Sequence, residues 1–207
     1  MGKSVNSNDP RVKRTRKLIQ EAFAALLMEK RFQAISVQDI TDRATVNRAT
    51  FYTHFIDKYD LLDSLMREEL QKRLAAQLSL TATLTAANLK TLTCLVFDYL
   101  IHSYCQLNPE REIKEWFSST VRDELQTYVL SWLHHTHQTS EIQLLHLETI
   151  ATMISWAICG AGLQRDSKYP IPIDKHADQV VALLLEGVAQ MLSSVDGPAS
   201  KINHVLG

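Results

Sequence analysis

Arg48, Thr50, Tyr52, Thr53 and His54 lie within seven consecutive residues and, wound as a helix, share an outer face around the small Ala49. Those types suit the groove of a nucleic acid. Arg48 can fork onto a guanine edge or sit on a phosphate. The Thr50 and Thr53 side chains offer hydroxyls and methyls, and Ala49 permits close approach. The Tyr52 phenol can donate to a phosphate. Lys58 opens the next helix, where free N–H groups and the positive dipole end already suit an anion. The plainer reading is that Tyr52 and His54 only cover a small helical unit.

The neighbouring sequence supplies the elements that would hold such a face. Ser36 caps a short helix whose apolar side is Val37, Ile40 and Ala44. The pattern breaks at Thr45-Val46, and Asn47, three residues before Thr50, is a second N-cap. Phe51 and Phe55 then point inward at i,i+4 spacing. Asp57, with Asp60 three residues on, caps a third helix bearing Leu61, Leu62 and Leu65. Two short helices joined by a three- or four-residue turn have the proportions of a helix-turn-helix.

Charge placement agrees with this. Residues 1–60 hold 11 Lys/Arg against 7 Asp/Glu, whereas residues 61–207 hold 11 against 16. The overall charge of −1 hides a basic end and an acidic remainder, as expected if only one end meets phosphates. Arg11, Lys13, Arg14, Arg16 and Lys17 lie at the start of the first expected helix. Arg11, Lys13 and Arg14 are candidates for a DNA-contacting arm.

Residues 10–65, about a quarter of the chain, resemble the DNA-binding domain of the TetR family of bacterial transcription regulators. The matching pieces are Phe32, Ser36-Val37, Ile40, Ala44, Val46-Asn47, Thr50-Phe51-Tyr52, His54-Phe55, Lys58 and Leu61-Leu62, in the family's order and spacing. The resemblance implies that Arg48, Ala49, Thr50, Tyr52 and His54 face DNA and that Lys58 holds a phosphate. Thr53 and the caps Ser36 and Asn47 complete the expected contact set. One departure stands out. The family usually has Gly in the turn, where this chain has Thr45, and a β-branched residue is poorly suited to positive φ.

The remainder reads as helix. The first helix, about Pro10 to Lys30, carries Leu18, Ile19, Ala22, Phe23, Leu26 and Leu27 as its inward stripe. The Lys58 helix runs to about Leu78, and further helices are expected near 87–107, 110–137, 140–164 and 174–194. Asn108-Pro109, the stretch around 137–140 and Tyr169-Pro170-Ile171-Pro172 separate them. The expected fold is all-α. An arm and three-helix DNA-binding domain occupy residues 1–57, and a helical regulatory and dimerisation domain occupies 58–207.

Several other functions find little support. The uncharged run 149–163 has 15 residues, short of the roughly 20 that span a bilayer. The basic N-terminus lacks an apolar signal core. Cys94, Cys105 and Cys159 show no Cys-x-x-Cys spacing and read as buried thiols in a reducing cytoplasm. His134, His135 and His137, with Glu141 beyond, invite a metal hypothesis, yet the stretch reads better as solvated histidines at the frayed end of an amphipathic helix. No phosphate loop, nucleophile elbow or His-Glu-x-x-His is present, so neither catalysis nor a cofactor is expected.

Two further expectations concern the body. Ala157, Gly160 and Ala161 on one helix, and Val181, Leu184, Leu185 and Val188 on the next, could pack within one subunit or form half of a four-helix dimer interface. The resemblance favours the dimer, because TetR-like proteins pair through their final two helices. Two recognition helices about 34 Å apart would read a palindromic operator. The resemblance also implies a small-molecule effector in the body. Phe97, Tyr104, Trp116, Phe117, Trp132, Met153 and Trp156 are the candidate lining, although each is more at home in an ordinary core. The reading is a cytoplasmic repressor released by a ligand. The alternatives are a protein-interaction module that keeps its head as a relic, and a helical enzyme or metal-binding protein.

Overall fold

The computed structural model describes residues 9–107, 111–136, 141–164 and 171–195. Every regular element among them is helical. In chain order they are α1 (Pro10–Glu29), a short 3-10 turn (Phe32–Ala34), α2 (Val37–Ala44), α3 (Arg48–His54), α4 (Lys58–Gln77), α5 (Ala86–Leu107), α6 (Arg111–Thr136), α7 (Glu141–Leu163) and α8 (Ile173–Val195). The all-α expectation holds, and the element limits fall within about two residues of those read from caps and breakers.

The chain divides into two compact units. One comprises residues 1–69 with 102–117, the other residues 70–101 with 118–207. The divisions fall inside α4, α5 and α6.

In the first unit, α1 starts where Asp9 accepts from the Arg11 amide at 2.8 Å and Pro10 presets the first helical φ. Its buried side is Ile19, Gln20, Ala22, Phe23 and Leu26. Leu18, expected in the stripe, is 42% exposed, while Gln20 is buried and reaches polar partners on α4. Helix α2 opens with a capping box. The Asp39 amide donates to Ser36 Oγ at 3.1 Å, while the Ser36 amide and hydroxyl both donate to Asp39 Oδ2 at 2.7 Å. Ile40, Phe51, Phe55, Leu61 and Leu62 are buried with the inner side of α1 in one apolar core.

The α2–α3 turn is where the departure from Gly matters. Thr45 adopts φ 56° and ψ 42°, the left-handed region. Its amide donates to the Asp42 carbonyl at 3.3 Å and the Val46 amide reaches the Thr41 carbonyl at 3.0 Å, a Schellman closure made without glycine. The turn therefore keeps glycine-like geometry and carries strain on the order of 1–2 kcal/mol in the left-handed residue.

In the second unit the core is aliphatic and aromatic: Leu74, Leu92, Val96, Phe97, Val121, Leu125, Val129, Trp132, Ile154 and Ile158 are buried. Trp132 Nε1 donates to the Ser79 carbonyl and Ser131 Oγ to the Leu80 carbonyl, both at 2.7 Å, so α6 secures the α4–α5 connection. Helix α7 packs against α8. It also comes close to α5 at Gly162, where a Cβ would lie 2.6 Å from Leu100 Cδ1 and 3.0 Å from the Phe97 ring. At Gly160 a Cβ would meet nothing within 4 Å.

Candidate nucleic-acid interface

Helix α3 has seven residues and depends on its ends and its buried side. Asn47 Oδ1 accepts from the Thr50 amide at 2.7 Å and from the Thr50 hydroxyl at 2.9 Å, completing the expected N-cap. Phe51 and Phe55 are buried, and Phe51 meets the Phe55 ring at 5.8 Å between centroids. Burying them leaves Arg48, Ala49, Tyr52 and Thr53 exposed, with Thr50 and His54 half-buried.

The exposed face is internally ordered. The Arg48 guanidinium lies 5.8 Å from the Tyr52 ring centroid and donates to the Tyr52 hydroxyl at 3.4 Å. Tyr52 is half-exposed, so an arginine fork and a phenol stand side by side on the surface. The Thr53 hydroxyl bonds back to the Thr50 carbonyl at 2.6 Å. The His54 imidazole titrates below its ordinary value, first because of burial and second because the Arg16 cation is near. A neutral ring can accept as well as donate, unlike an imidazolium.

Other expected contact residues are already engaged. Ser36 spends its hydroxyl in the α2 capping box. Lys58 Nζ donates to the carbonyls of Ile35 at 2.9 Å, Phe32 at 3.2 Å and Gln33 at 3.3 Å. It also lies 4.6 Å from the Phe32 ring centroid, and burial pulls its pKa below the ordinary lysine value. This ammonium stitches the 3-10 turn to α4. Asp57, as expected, caps α4 through the amides of Tyr59 and Asp60, and Asp60 answers by accepting from the Ile56 amide at 2.9 Å.

Arg11, Lys13 and Arg14 belong to the opening turns of α1 and are exposed; the segment 1–8 that would form the rest of an arm lies outside the described residues. Arg16 turns inward to His54, Ser64 and Glu68. Sequence reading missed this Arg16, Gln20, Ser64 and Glu68 cluster, since its members are separated by up to 48 residues. The Asp39 half of the capping box was also missed, although Ser-x-x-Asp spacing before an apolar run is a readable signal.

The family described as bacterial regulatory proteins, tetR family, matches residues 19–65. The likeness to the TetR family thus lies in this head. The match ends on the first turns of α4 and takes in the capped α2, the turn at Thr45 and all of α3. An uncharacterized HTH-type transcriptional regulator of Bacillus subtilis (strain 168), YxbF, is 42% identical over 60 residues. That stretch is 28% of this chain and only 16% of the relative's length. Among solved structures, the dihydroxyacetone kinase operon activator DhaS aligns with a TM-score of 0.52 at 20% identity. The alignment covers 85% of this chain and 97% of that one, a likeness of fold. A TetR/AcrR regulator from Thermobifida fusca YX-ER1 has a TM-score of 0.47 at 19% identity over 86% of this chain and 98% of its own.

The expected body residues scatter. Phe97, Phe117 and Trp132 are buried and Trp116 is half-buried, while the Tyr104 side chain lies outside the described residues. Met153 and Trp156 are 56% and 59% exposed, so they stand on the surface of the subunit and not around an enclosed space. Of the expected interface residues, Ala157 is exposed, Gly160, Ala161, Leu184 and Leu185 are partly so, and Val181 and Val188 are buried within the subunit. His135 Nδ1 sits 2.8 Å from the Ser131 carbonyl, and His137 and the Glu141 side chain lie outside the described residues. Among the described residues no three His, Cys, Asp or Glu side chains converge as a metal site. The Cys159 thiol is pushed up to about 11 by burial, which makes it a poor nucleophile, and burial also raises Cys94. Among the described residues no helix is long and apolar enough to cross a membrane.

Proposed function

We propose that this chain is a sequence-specific DNA-binding transcription regulator that sets α3 in the major groove. The observation that carries the reading is the division of α3. Phe51 and Phe55 are buried, while Arg48, Ala49, Tyr52 and Thr53 are exposed on a helix capped by Asn47. Arg48, Ala49, Thr50, Tyr52, Thr53 and His54 are the groove-facing set. The amides at the start of α4 and the α1 cations Arg11, Lys13 and Arg14 supply backbone contacts.

The functional form is a homodimer on a palindromic site, joined through α7 and α8. Leu145, Met153, Trp156 and Ala157 on α7 and Leu183 on α8 are exposed at helical spacing, and Gly160 leaves open space for a partner helix. The regulation is repression relieved by a small apolar or amphipathic molecule held in the body. An effector that favours a mismatched head spacing would weaken both half-sites together.

Selecting bound sequences from a random duplex pool tests the core of this reading. A palindrome with half-sites about one DNA turn apart is expected, with affinity falling steeply in salt. No salt-dependent affinity for any duplex would overturn it and favour a protein-interaction role. A reporter driven by the selected site would then show the sign of regulation.

A further inference from the structure

Arg16 sits on α1 among Arg11, Lys13 and Arg14, where charge alone would turn it toward phosphates. Its guanidinium goes elsewhere. Nη1 donates to the His54 carbonyl at 3.3 Å and Nη2 to Ser64 Oγ at 2.5 Å. Nε lies 3.8 Å from Glu68 Oε1, and the guanidinium carbon lies 4.4 Å from the Phe55 ring centroid. Glu68 Oε1 also accepts from Gln20 Nε2 at 2.8 Å and from Ser64 Oγ at 3.2 Å, and Gln20 is 7% exposed. His54 is the last residue of α3, so its carbonyl is one of those left without a partner at a helix end. A cation there also meets the negative end of the helix dipole. One planar group thus joins the recognition helix to α1 and α4.

We propose that Arg16 is a positioning residue for DNA recognition, holding the C-terminal end of α3 against Ser64 and Glu68 of α4. It thereby sets the angle at which Arg48 and Tyr52 are offered to the groove. A seven-residue helix has little stability of its own, and its N-terminal end is fixed separately by Asn47. The proposal rests on the DNA-binding reading, and its test separates the two.

The full chain is compared with Arg16→Met, Arg16→Lys and Glu68→Gln on the duplex selected by the parent. A positioning role predicts that Arg16→Met loses about tenfold in affinity, the scale of a hydrogen bond to a charged group. The slope of log affinity against log salt stays at the parent value. Arg16→Lys fails to restore binding, because an ammonium lacks the planar fork whose separate nitrogens meet the His54 carbonyl and Ser64. Glu68→Gln weakens binding even though it removes a negative charge from the head. Without DNA, amide exchange in the last turn of α3 quickens in Arg16→Met and Glu68→Gln while α1 keeps its protection. A phosphate contact predicts the reverse and would overturn the proposal. The slope would fall by about 0.9, Lys would rescue, Glu68→Gln would tighten binding and α3 exchange would not change. Should the parent bind no duplex, the functional reading fails, while the exchange measurement still decides whether Arg16 holds α3.

Discussion

The Lys58 ammonium lies 2.9 Å from the Ile35 carbonyl oxygen and also serves the Phe32 and Gln33 carbonyls, so its protons close a turn before any DNA arrives. Replacing Lys58 with Met should cost the head about 1–2 kcal/mol, since the carbonyls of Phe32, Gln33 and Ile35, two of these contacts part-buried, lose a charged donor. Thermal unfolding followed by circular dichroism would register this as a lower midpoint without DNA. An unchanged midpoint would mean that Lys58 serves only the phosphate role implied by resemblance.

Thr45 invites the opposite experiment. Glycine removes the clash of Cβ at φ 56°, so Thr45→Gly should stabilise the protein by about 1 kcal/mol despite glycine's greater freedom when unfolded. Urea titration would show a higher midpoint at constant slope. A lower midpoint would remove the strain argument.

Acid should loosen the start of α2. The Ser36 hydroxyl, then the Ser36 amide, then Lys30 hold the Asp39 carboxyl well below its ordinary value of 3.8. A depressed carboxyl stabilises the folded state above the unfolded pKa, and that contribution disappears as pH falls through the folded one. The head should therefore be insensitive near pH 6 and weaken below about pH 4. Ser36→Ala should cost about 1 kcal/mol at neutral pH and flatten the acid dependence. An acid profile identical in both proteins would rule out Asp39 as the source.

Tyr52 offers a clean probe of the DNA face. It is half-exposed and outside the core, so Tyr52→Ala should leave the unfolding free energy within about 0.5 kcal/mol of the parent. Operator affinity should fall about tenfold, the effect of losing one good groove or phosphate contact. Fluorescence anisotropy at matched salt measures this, and equal affinity would count against the docked α3.

The two glycines of α7 should behave differently. Gly162→Ala places a methyl against Leu100 and Phe97 and should destabilise the subunit by about 1 kcal/mol, overpacking outweighing better helix propensity. Gly160→Ala meets open space in the subunit, so it should leave the fold intact and weaken self-association, read by analytical ultracentrifugation. Loss of fold at Gly160 would contradict the proposed interface.

Helix limits and caps were legible because they follow local rules. Asn47 and Thr50, or Asp57 and Asp60, are three residues apart, and helical geometry alone brings such pairs together. The Phe51 and Phe55 pair likewise announces its inward face through i,i+4 spacing.

Where the long cations point was not legible. Lys58 read as a phosphate ligand and Arg16 as one cation of the basic run beside the candidate arm, yet each meets partners more than 20 residues away. The same holds for α7, which is apolar nearly all round. Nothing in its composition separates buried Ile154 and Ile158 from exposed Met153 and Trp156. Periodicity and capping act over one helical turn, so the chain alone decided which segments wind and where they stop. The aim of a flexible side chain, and the choice among apolar faces, depend on neighbours brought close only by folding, and those the tertiary structure decided.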